Sequence, residues 1–378
     1  MKKQNSIVIL FCLLLWATAG TLWAQNDKSF FPANNDAFTY MGRIQHDNET
    51  VKYNWPGVTV LTRFTGKELG IKIKGGESNY FNVWIDDKPE QVVYAVNDTI
   101  WWYPEKLSKG NHQLRIVKRT EGNMGMAEFS GIYVGRNEHV MKVPPLSPRK
   151  ILFIGNSITC GYGTEGKNKS ERFKPSTENC EKSYATIMAR AFGAQYHLIS
   201  HSGLGMVRNY GDKQKISTQR KPMPARLEYL FDENPDLKYD LQNYIPDVVV
   251  INLGTNDFST LPHPDENAFV TAGKRLITKL KQVFPQTKIV CITGPMTNEP
   301  CYTYTKKIVE QIRVEQQTQD IVFVGIPVNL LNSETDLGSD HHPSYQGQLK
   351  SAQIIIPVLG SILNWNYSLN EILEQLNN

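Results

Sequence analysis

Residues Ile151–Gly163, ILFIGNSITCGYG, run an apolar strand into a glycine-bracketed turn with Ser157 just past the strand's end. Three further runs, DVVVINLG (247–254), KIVCITGP (288–295) and IVFVGIP (321–327), carry little polar alternation. Strands covered on both faces read this way, as in a parallel sheet. AQYHLIS (194–200) adds another strand. Helical patterns lie between them: KSYATIMARAF (182–192), NAFVTAGKRLITKLKQVF (267–284), TKKIVEQIRVEQQ (305–317) and SYQGQLKSAQIIIPVLGSIL (344–363). In the second of these, Phe269, Ala272, Leu276, Leu280 and Val283 recur at helical spacing. Strand alternating with helix predicts a doubly wound α/β domain over 151–378. Ligands of such domains bind beyond the carboxyl ends of the strands.

Upstream the texture differs. VTVLTRF, LGIKIKG, YFNVWIDD, QVVYAV, HQLRIVKR and FSGIYVG are short alternating runs separated by turn-forming pieces such as DDKPE and SKGN. In FNVWID, Phe81, Val83 and Ile85 point one way and Asn82, Trp84 and Asp86 the other, the period of half-buried strands. An antiparallel β-sandwich of jelly-roll or immunoglobulin type is expected over 25–143. The proline-rich segment 144–150 is the linker.

Lys2 and Lys3 precede the apolar run Ile7–Trp16, and a polar QNDKSF follows Ala24, so residues 1–24 read as a cleaved signal peptide of a secreted or periplasmic protein. No stretch is long enough for a membrane span. Without the two lysines the formal net charge falls from +4 to +2, which gives no electrostatic case for a nucleic-acid or membrane partner. Export favours disulfides. Pairing Cys160 with Cys180 and Cys291 with Cys301 is the local arrangement, although two other connectivities stay open.

The strand-end loops of an open sheet share one rim, so chemistry is sought there. The candidates are Ser157, HSGLG (201–205), LGTND (253–257) and GSDHHPS (338–344). A serine hydroxyl needs a base to become a nucleophile. His342 or His341 can supply it, and Asp340 can orient the base. The Ser157 and Gly203 amides and the Asn256 side chain are the donor types an oxyanion requires. Alone, Ser157 would equally suit a helix N-cap. GYGTEGKN (161–168) comes close to a phosphate loop, but Asn168 stands where Ser or Thr belongs and no helical pattern follows. Asp340, His341 and His342 lack a further His or Cys cluster, and adjacent histidines rarely face one ion together, so they do not read as a metal site.

GNSIT, SGLG, GTND and DHHP, in that order, resemble the four blocks of the SGNH (GDSL-like) hydrolase superfamily. The longer forms IGNSITCGYGTEG, SGLGMVRNYG and PDVVVINLGTNDFS, with the D-x-H-P spacing and upstream GGESNYFNVWID and IVKRTEG, resemble carbohydrate esterase family 2. The resemblance implies a jelly roll joined to an SGNH domain and removal of O-acetyl groups from polysaccharides such as xylan and glucomannan, preferentially at the 6-hydroxyl. It implies Ser157 as nucleophile, His342 as base, and Ser157, Gly203 and Asn256 as oxyanion donors, with Asp340 or a backbone carbonyl orienting His342, and no metal or cofactor. Two positions depart from the pattern: Asn156 replaces the usual aspartate, and His341 replaces a tryptophan by the active site.

The long polar insertion 208–231 on the active rim suggests Tyr210, Met223 and Tyr229 as substrate contacts, with His341 beside them. His201 is a further candidate to line the cleft. Trp84, Trp101, Trp102 and Tyr103 suit either a sugar platform or a packed interior, and packing against the catalytic half is favoured. The competing readings are an SGNH lipase or thioesterase on other acyl esters and a catalytically silent carbohydrate-binding protein.

Overall fold

A computed structural model describes residues 28–76, 78–297 and 299–376, so the expected signal peptide lies outside the described residues. The first strands are β1 (Lys28–Pro32), β2 (Thr39–Met41), β3 (Gln45–Asp47), β4 (Thr50–Tyr53), β5 (Thr59–Thr65) and β6 (Leu69–Gly75). They continue as β7 (Tyr80–Ile85), β8 (Gln91–Tyr94), β9 (Asn97–Trp102), β10 (Asn111–Lys118), β11 (Ala127–Gly135) and β12 (Val140–Met141). One antiparallel sheet runs β3-β4-β11-β6-β9 with β1 on β11, and the other runs β12-β5-β10-β7-β8 with β2 on β5. Phe81, Val83 and Ile85 face Ile71, Ile73, Phe129 and Ile132 in the core between them. This is the expected sandwich.

The second half carries β13 (Lys150–Gly155), β14 (Gln195–Ser200), β15 (Val248–Ile251), β16 (Lys288–Thr293) and β17 (Ile321–Gly325), all parallel in the order β14-β13-β15-β16-β17. Its helices are α1 (Ser157–Cys160), α2 (Tyr184–Ala191), α3 (Thr255–Phe258), α4 (Glu266–Val283), α5 (Cys301–Glu315), α6 (Tyr345–Leu363) and α7 (Asn370–Leu376). Leu152, Ile154, Val249 and Ile251 pack toward α4 and α5, whereas Ile151, Phe153, Val248 and Val250 pack toward α2 and α6. Burial on both faces explains why these strands lack alternation. The absence of polar positions at period two is thus a record of two helical layers.

The sandwich strands alternate, yet their outer face is not all solvated. Asn82, expected on the outer side of β7, is fully buried because its amide donates to Asn179 Oδ1 at 2.9 Å in the α/β half. Trp84 lies under the Arg115 guanidinium, 3.7 Å from its ring, and packs on the second core. Alternation records which side chains leave the inner face; it does not say what covers them. Arg43 makes the same seam from another side. Its guanidinium, 2 % exposed, donates to the Tyr229 and Leu227 carbonyls at 2.5 and 2.8 Å and lies 4.4 Å from the Tyr239 ring. Trp55 Nε1 donates to Leu230 O at 2.9 Å, and Asn54 exchanges two bonds with Asp232.

Among the described residues no helix is long and apolar enough to cross a membrane. Because Arg43 satisfies two buried carbonyls with charged donors, each worth about 1.5–3 kcal/mol, Arg43→Met should lower unfolding stability by about 3 kcal/mol. Urea denaturation should show this as a reduced midpoint at unchanged slope, within one cooperative transition for the whole chain.

Candidate active site

The turn after β13 is built around Gly155, where a Cβ would lie 2.0 Å from Thr159 Oγ1. Only glycine lets the chain fold back this tightly. Asn156 then caps α1, its Oδ1 accepting the Ile158 N–H at 3.1 Å, and Gly161 ends the helix at φ 75°. A capping role needs an acceptor and no charge, so asparagine serves where the superfamily has aspartate. Ser157 is the first residue of α1, and its N–H has no partner among the described residues.

Ser157 Oγ lies 2.8 Å from His342 Nε2. On the other side of the ring, His342 Nδ1 is 3.1 Å from the Asp340 carbonyl oxygen. An Nδ1–H donated to that carbonyl leaves Nε2 as the acceptor facing the serine, the tautomer a general base requires. The Asp340 carboxylate points elsewhere: Oδ2 accepts from Tyr162 OH at 3.0 Å and Phe173 N–H at 3.1 Å, and Oδ1 pairs with Arg172 at 3.0 Å. Burial alone would raise this carboxyl, but the Phe173 amide, the Tyr162 hydroxyl and Arg172 outweigh it and hold it below its usual value. The expected aspartate contact is therefore replaced by a main-chain one. Asp340 and His341 adopt φ 50° and 63°, a double left-handed bend that turns the Asp340 carbonyl toward the ring two residues on.

Burial pushes His342 down to about 4, against the pull of the Asp340 carbonyl and carboxylate. Tyr162, stacked on Phe173 with centroids 3.9 Å apart, lies 4.3 Å from the His342 ring and helps to cover it. The glycines of the near-phosphate loop have a use here. Cβ atoms at Gly163 and Gly166 would fall 2.8 and 2.3 Å from Ser339, so these glycines admit the backbone that carries His342.

The second and third loops close the other side. Gly203, at φ 79°, accepts the Tyr210 N–H at 2.8 Å while its own N–H has no partner among the described residues. Asn256, 6 % exposed, spends one amide hydrogen on Leu204 O at 2.8 Å and keeps the other. Asp257, which sequence reading passed over, is fully buried and accepts the amides of Met206, Val207 and Arg208 at 2.8, 2.8 and 2.9 Å. Burial pushes it up to about 6 in spite of those donors. It staples the Gly203 loop to the Asn256 turn. Its only signal in the sequence was its place at the end of GTND. An unpaired serine amide, an unpaired glycine amide and a half-free asparagine beside a serine–histidine pair form an arrangement able to bind a developing oxyanion.

Several expected contacts are corrected. Tyr210 is 62 % exposed beside Gly203, and His341 is exposed next to His342. Met223 is fully buried, its amide bonded to Gly205 O at 3.0 Å, and Tyr229 is 7 % exposed over the Arg43 seam, so neither faces substrate. The insertion folds its apolar residues inward. His201 is buried against Asp232 rather than lining the cleft. The Cys160 to Cys180 bridge is absent, and all four cysteines here are free and buried. Cys160 Sγ lies 3.2 Å from Ser200 Oγ, while Cys180 Sγ turns to Lys118 O at 3.4 Å, in a different environment. Among the described residues the one grouping with ligand-type spacing is Glu121, Cys160 and Glu178, whose donor atoms lie within 4.8 Å of one another. Lys118 and Arg119 already supply positive charge beside it.

The family model described as Carbohydrate esterase 2 N-terminal matches residues 40–144, and that of the GDSL-like Lipase/Acylhydrolase family matches residues 153–350. The cellulase/esterase CelE of Acetivibrio thermocellus is 34% identical over 339 residues, 88% of this chain but 40% of that longer protein. An acetylxylan esterase / glucomannan deacetylase of Cellvibrio japonicus is 29% identical over 372 residues, covering 94% of this chain and 97% of its own. A family two carbohydrate esterase from Clostridium thermocellum, solved in complex with cellohexaose, superimposes with a TM-score of 0.80 at 33% identity, over 87% of this chain and 99% of that one. The chain therefore belongs to carbohydrate esterase family 2 and carries a GDSL-like acylhydrolase domain.

Proposed function

We propose that this protein is a serine esterase that removes O-acetyl groups from plant-type polysaccharides, acetylated xylan and glucomannan, with preference for the 6-O position. The observation that carries the reading is the 2.8 Å contact of Ser157 Oγ with the half-buried His342 Nε2. The acetylxylan esterase / glucomannan deacetylase relative supports the substrate class. A primary 6-hydroxyl ester stands away from the sugar ring, which suits a serine that is itself 6 % exposed at the foot of a rim. The lysine-flanked apolar segment within residues 1–24 supports a secreted or periplasmic location.

Ser157 Oγ attacks the acetyl carbonyl as His342 Nε2 takes its proton. The oxyanion receives the Ser157 and Gly203 amides and the Asn256 amide. The C–O bond to the sugar then breaks, and His342 returns the proton to the departing sugar oxygen. Water attacks the acetyl-serine, giving its proton to His342; collapse releases acetate, and the proton returns to Ser157.

Ser157→Ala should abolish acetate release from acetylated glucomannan while leaving the circular dichroism spectrum unchanged; turnover by this variant would remove the mechanism. The base must be neutral, and a histidine held at about 4 stays neutral through pH 5. The acid limb of kcat/KM on a soluble aryl acetate should accordingly fall near pH 4, well below the value of about 6.5 for an ordinary histidine. Since the Asp340 carbonyl does the orienting, Asp340→Asn should lower kcat/KM less than about 10-fold, against roughly 10⁴ in a triad that depends on the carboxylate. Steady-state kinetics on the same ester distinguishes the two.

A further inference from the structure

The connector from β10 to β11 leaves the sandwich and enters the catalytic half. Lys118, at its start, bends it by donating to the carbonyls of Thr120 and Glu121 at 2.6 and 2.9 Å. Glu121 is thereby carried to the underside of the catalytic rim, where it is 0% exposed. Its Oε2 accepts the Ser202 N–H at 2.6 Å and lies 3.6 Å from Cys160 Sγ. Ser202 immediately precedes Gly203. Cys160 closes the helical turn that Ser157 opens. One carboxylate oxygen thus touches the loop carrying one unpaired amide and the turn carrying the serine and the other.

The surroundings make this an expensive contact to keep. Glu121 Oε1 and Glu178 Oε1 are buried without partners, and the Glu121 N–H donates to Glu178 Oε2 at 3.3 Å. Burial and the neighbouring Glu121 push the Glu178 carboxyl well up. A buried carboxyl with few donors stabilises a fold less than apolar packing of the same volume. What the carboxylate supplies that packing cannot is a directional acceptor for the Ser202 amide. Oxyanion donors must stand 2.7–3.1 Å from the developing charge, and displacements of about 1 Å cost on the order of 100-fold.

We propose that Glu121 is a positioning residue, contributed by the sandwich, that fixes the Gly203 amide relative to Ser157 and so completes the oxyanion site of the catalytic domain. The proposal rests on the esterase reading above. It assigns the N-terminal domain a part in turnover in place of a separate sugar-binding duty.

The test uses the full chain and an aryl acetate, with kcat and KM measured separately and thermal unfolding followed for each variant. Glu121→Leu keeps the volume and removes the acceptor, and Glu121→Asp keeps the charge and shortens the reach. Each should lower kcat at least 10-fold with KM within about 3-fold. Glu121→Gln, whose amide oxygen can still accept from Ser202, should recover kcat to within about 3-fold of the parent. Glu178→Gln disturbs the same buried pair without touching Ser202 and should shift the melting temperature more than kcat. If Glu121→Leu does not fold, Glu121→Asp decides alone. Unchanged kcat in a folded Glu121→Leu or Glu121→Asp variant overturns the proposal. So do losses that follow melting temperature and are matched by Glu178→Gln. Absence of turnover in the parent would instead defeat the esterase reading itself.

Discussion

The structure depends on a buried guanidinium at the seam of its two halves. Arg119, fully buried, donates to the Glu178 and Ser176 carbonyls at 2.7 and 2.9 Å, to Asn82 Oδ1 at 3.1 Å, and to the Glu165 carboxylate. A planar fork of five donors can bind a carbonyl, an amide oxygen and a carboxylate together, which an ammonium cannot do with the same fixed geometry. Apart from Asn82 on β7, these acceptors belong to the loop 161–178, which has no long element of its own. Its other end presents Tyr162 and Phe173 to His342 and Asp340. The histidine side of the site is therefore held by the sandwich through this loop, as the Gly203 side touches the sandwich at Glu121. Each side reaches the same connector by a short path of hydrogen bonds.

A base oriented by a carbonyl differs physically from one oriented by a carboxylate. The carbonyl selects the same tautomer but offers only a dipole to the imidazolium formed during reaction. The protein compensates at a distance, because the Asp340 carboxylate contributes its charge through space while being held by Tyr162, Phe173 and Arg172. Burial prevails in the resting protein, so the ring stays neutral at and above about pH 5. The cost is borne in backbone conformation, since two consecutive non-glycine residues at positive φ are unfavourable unless their surroundings fix them. Here the Asp340 and His341 amides are bonded to Glu171 O and Lys169 O at 2.9 and 3.2 Å. The loop that Arg119 supports thus also holds the strained bend.

Much of this was legible in the sequence, for identifiable reasons. Strand runs buried on both faces advertise themselves, and the loops after β13, β14 and β15 had to share a rim, so Ser157, Gly203 and Asn256 could be placed together. The chemistry of serine then required a histidine. What escaped reading acts through backbone atoms far away in the chain. Asp257 binds amides some fifty residues upstream, and Glu121 binds one 81 residues downstream. Neither leaves a pattern of side-chain types. The insertion 208–231 misled for a related reason: its polarity indicated exposure, but Met223 and Tyr229 are drawn under it by the core and by Arg43. Cysteine spacing misled because local proximity in sequence says nothing of which way a thiol points.

The same contacts decide whether the sandwich can be a separable module. Domains joined by a flexible linker normally meet across modest, partly polar surfaces. Here Arg43, Lys118, Arg119, Glu121 and Glu178 are all buried, and most satisfy carbonyls or amides across the seam. Pulling the halves apart would hydrate these charges but strand the carbonyls of 176, 178, 227 and 229 from their partners in loops that have little other reason to hold their shape. The proline-rich segment 144–150 connects the halves in the chain, yet freedom in it can do little while those charges are buried. Whatever binds at the rim consequently meets loops of the α/β domain whose shape is set by residues of the sandwich.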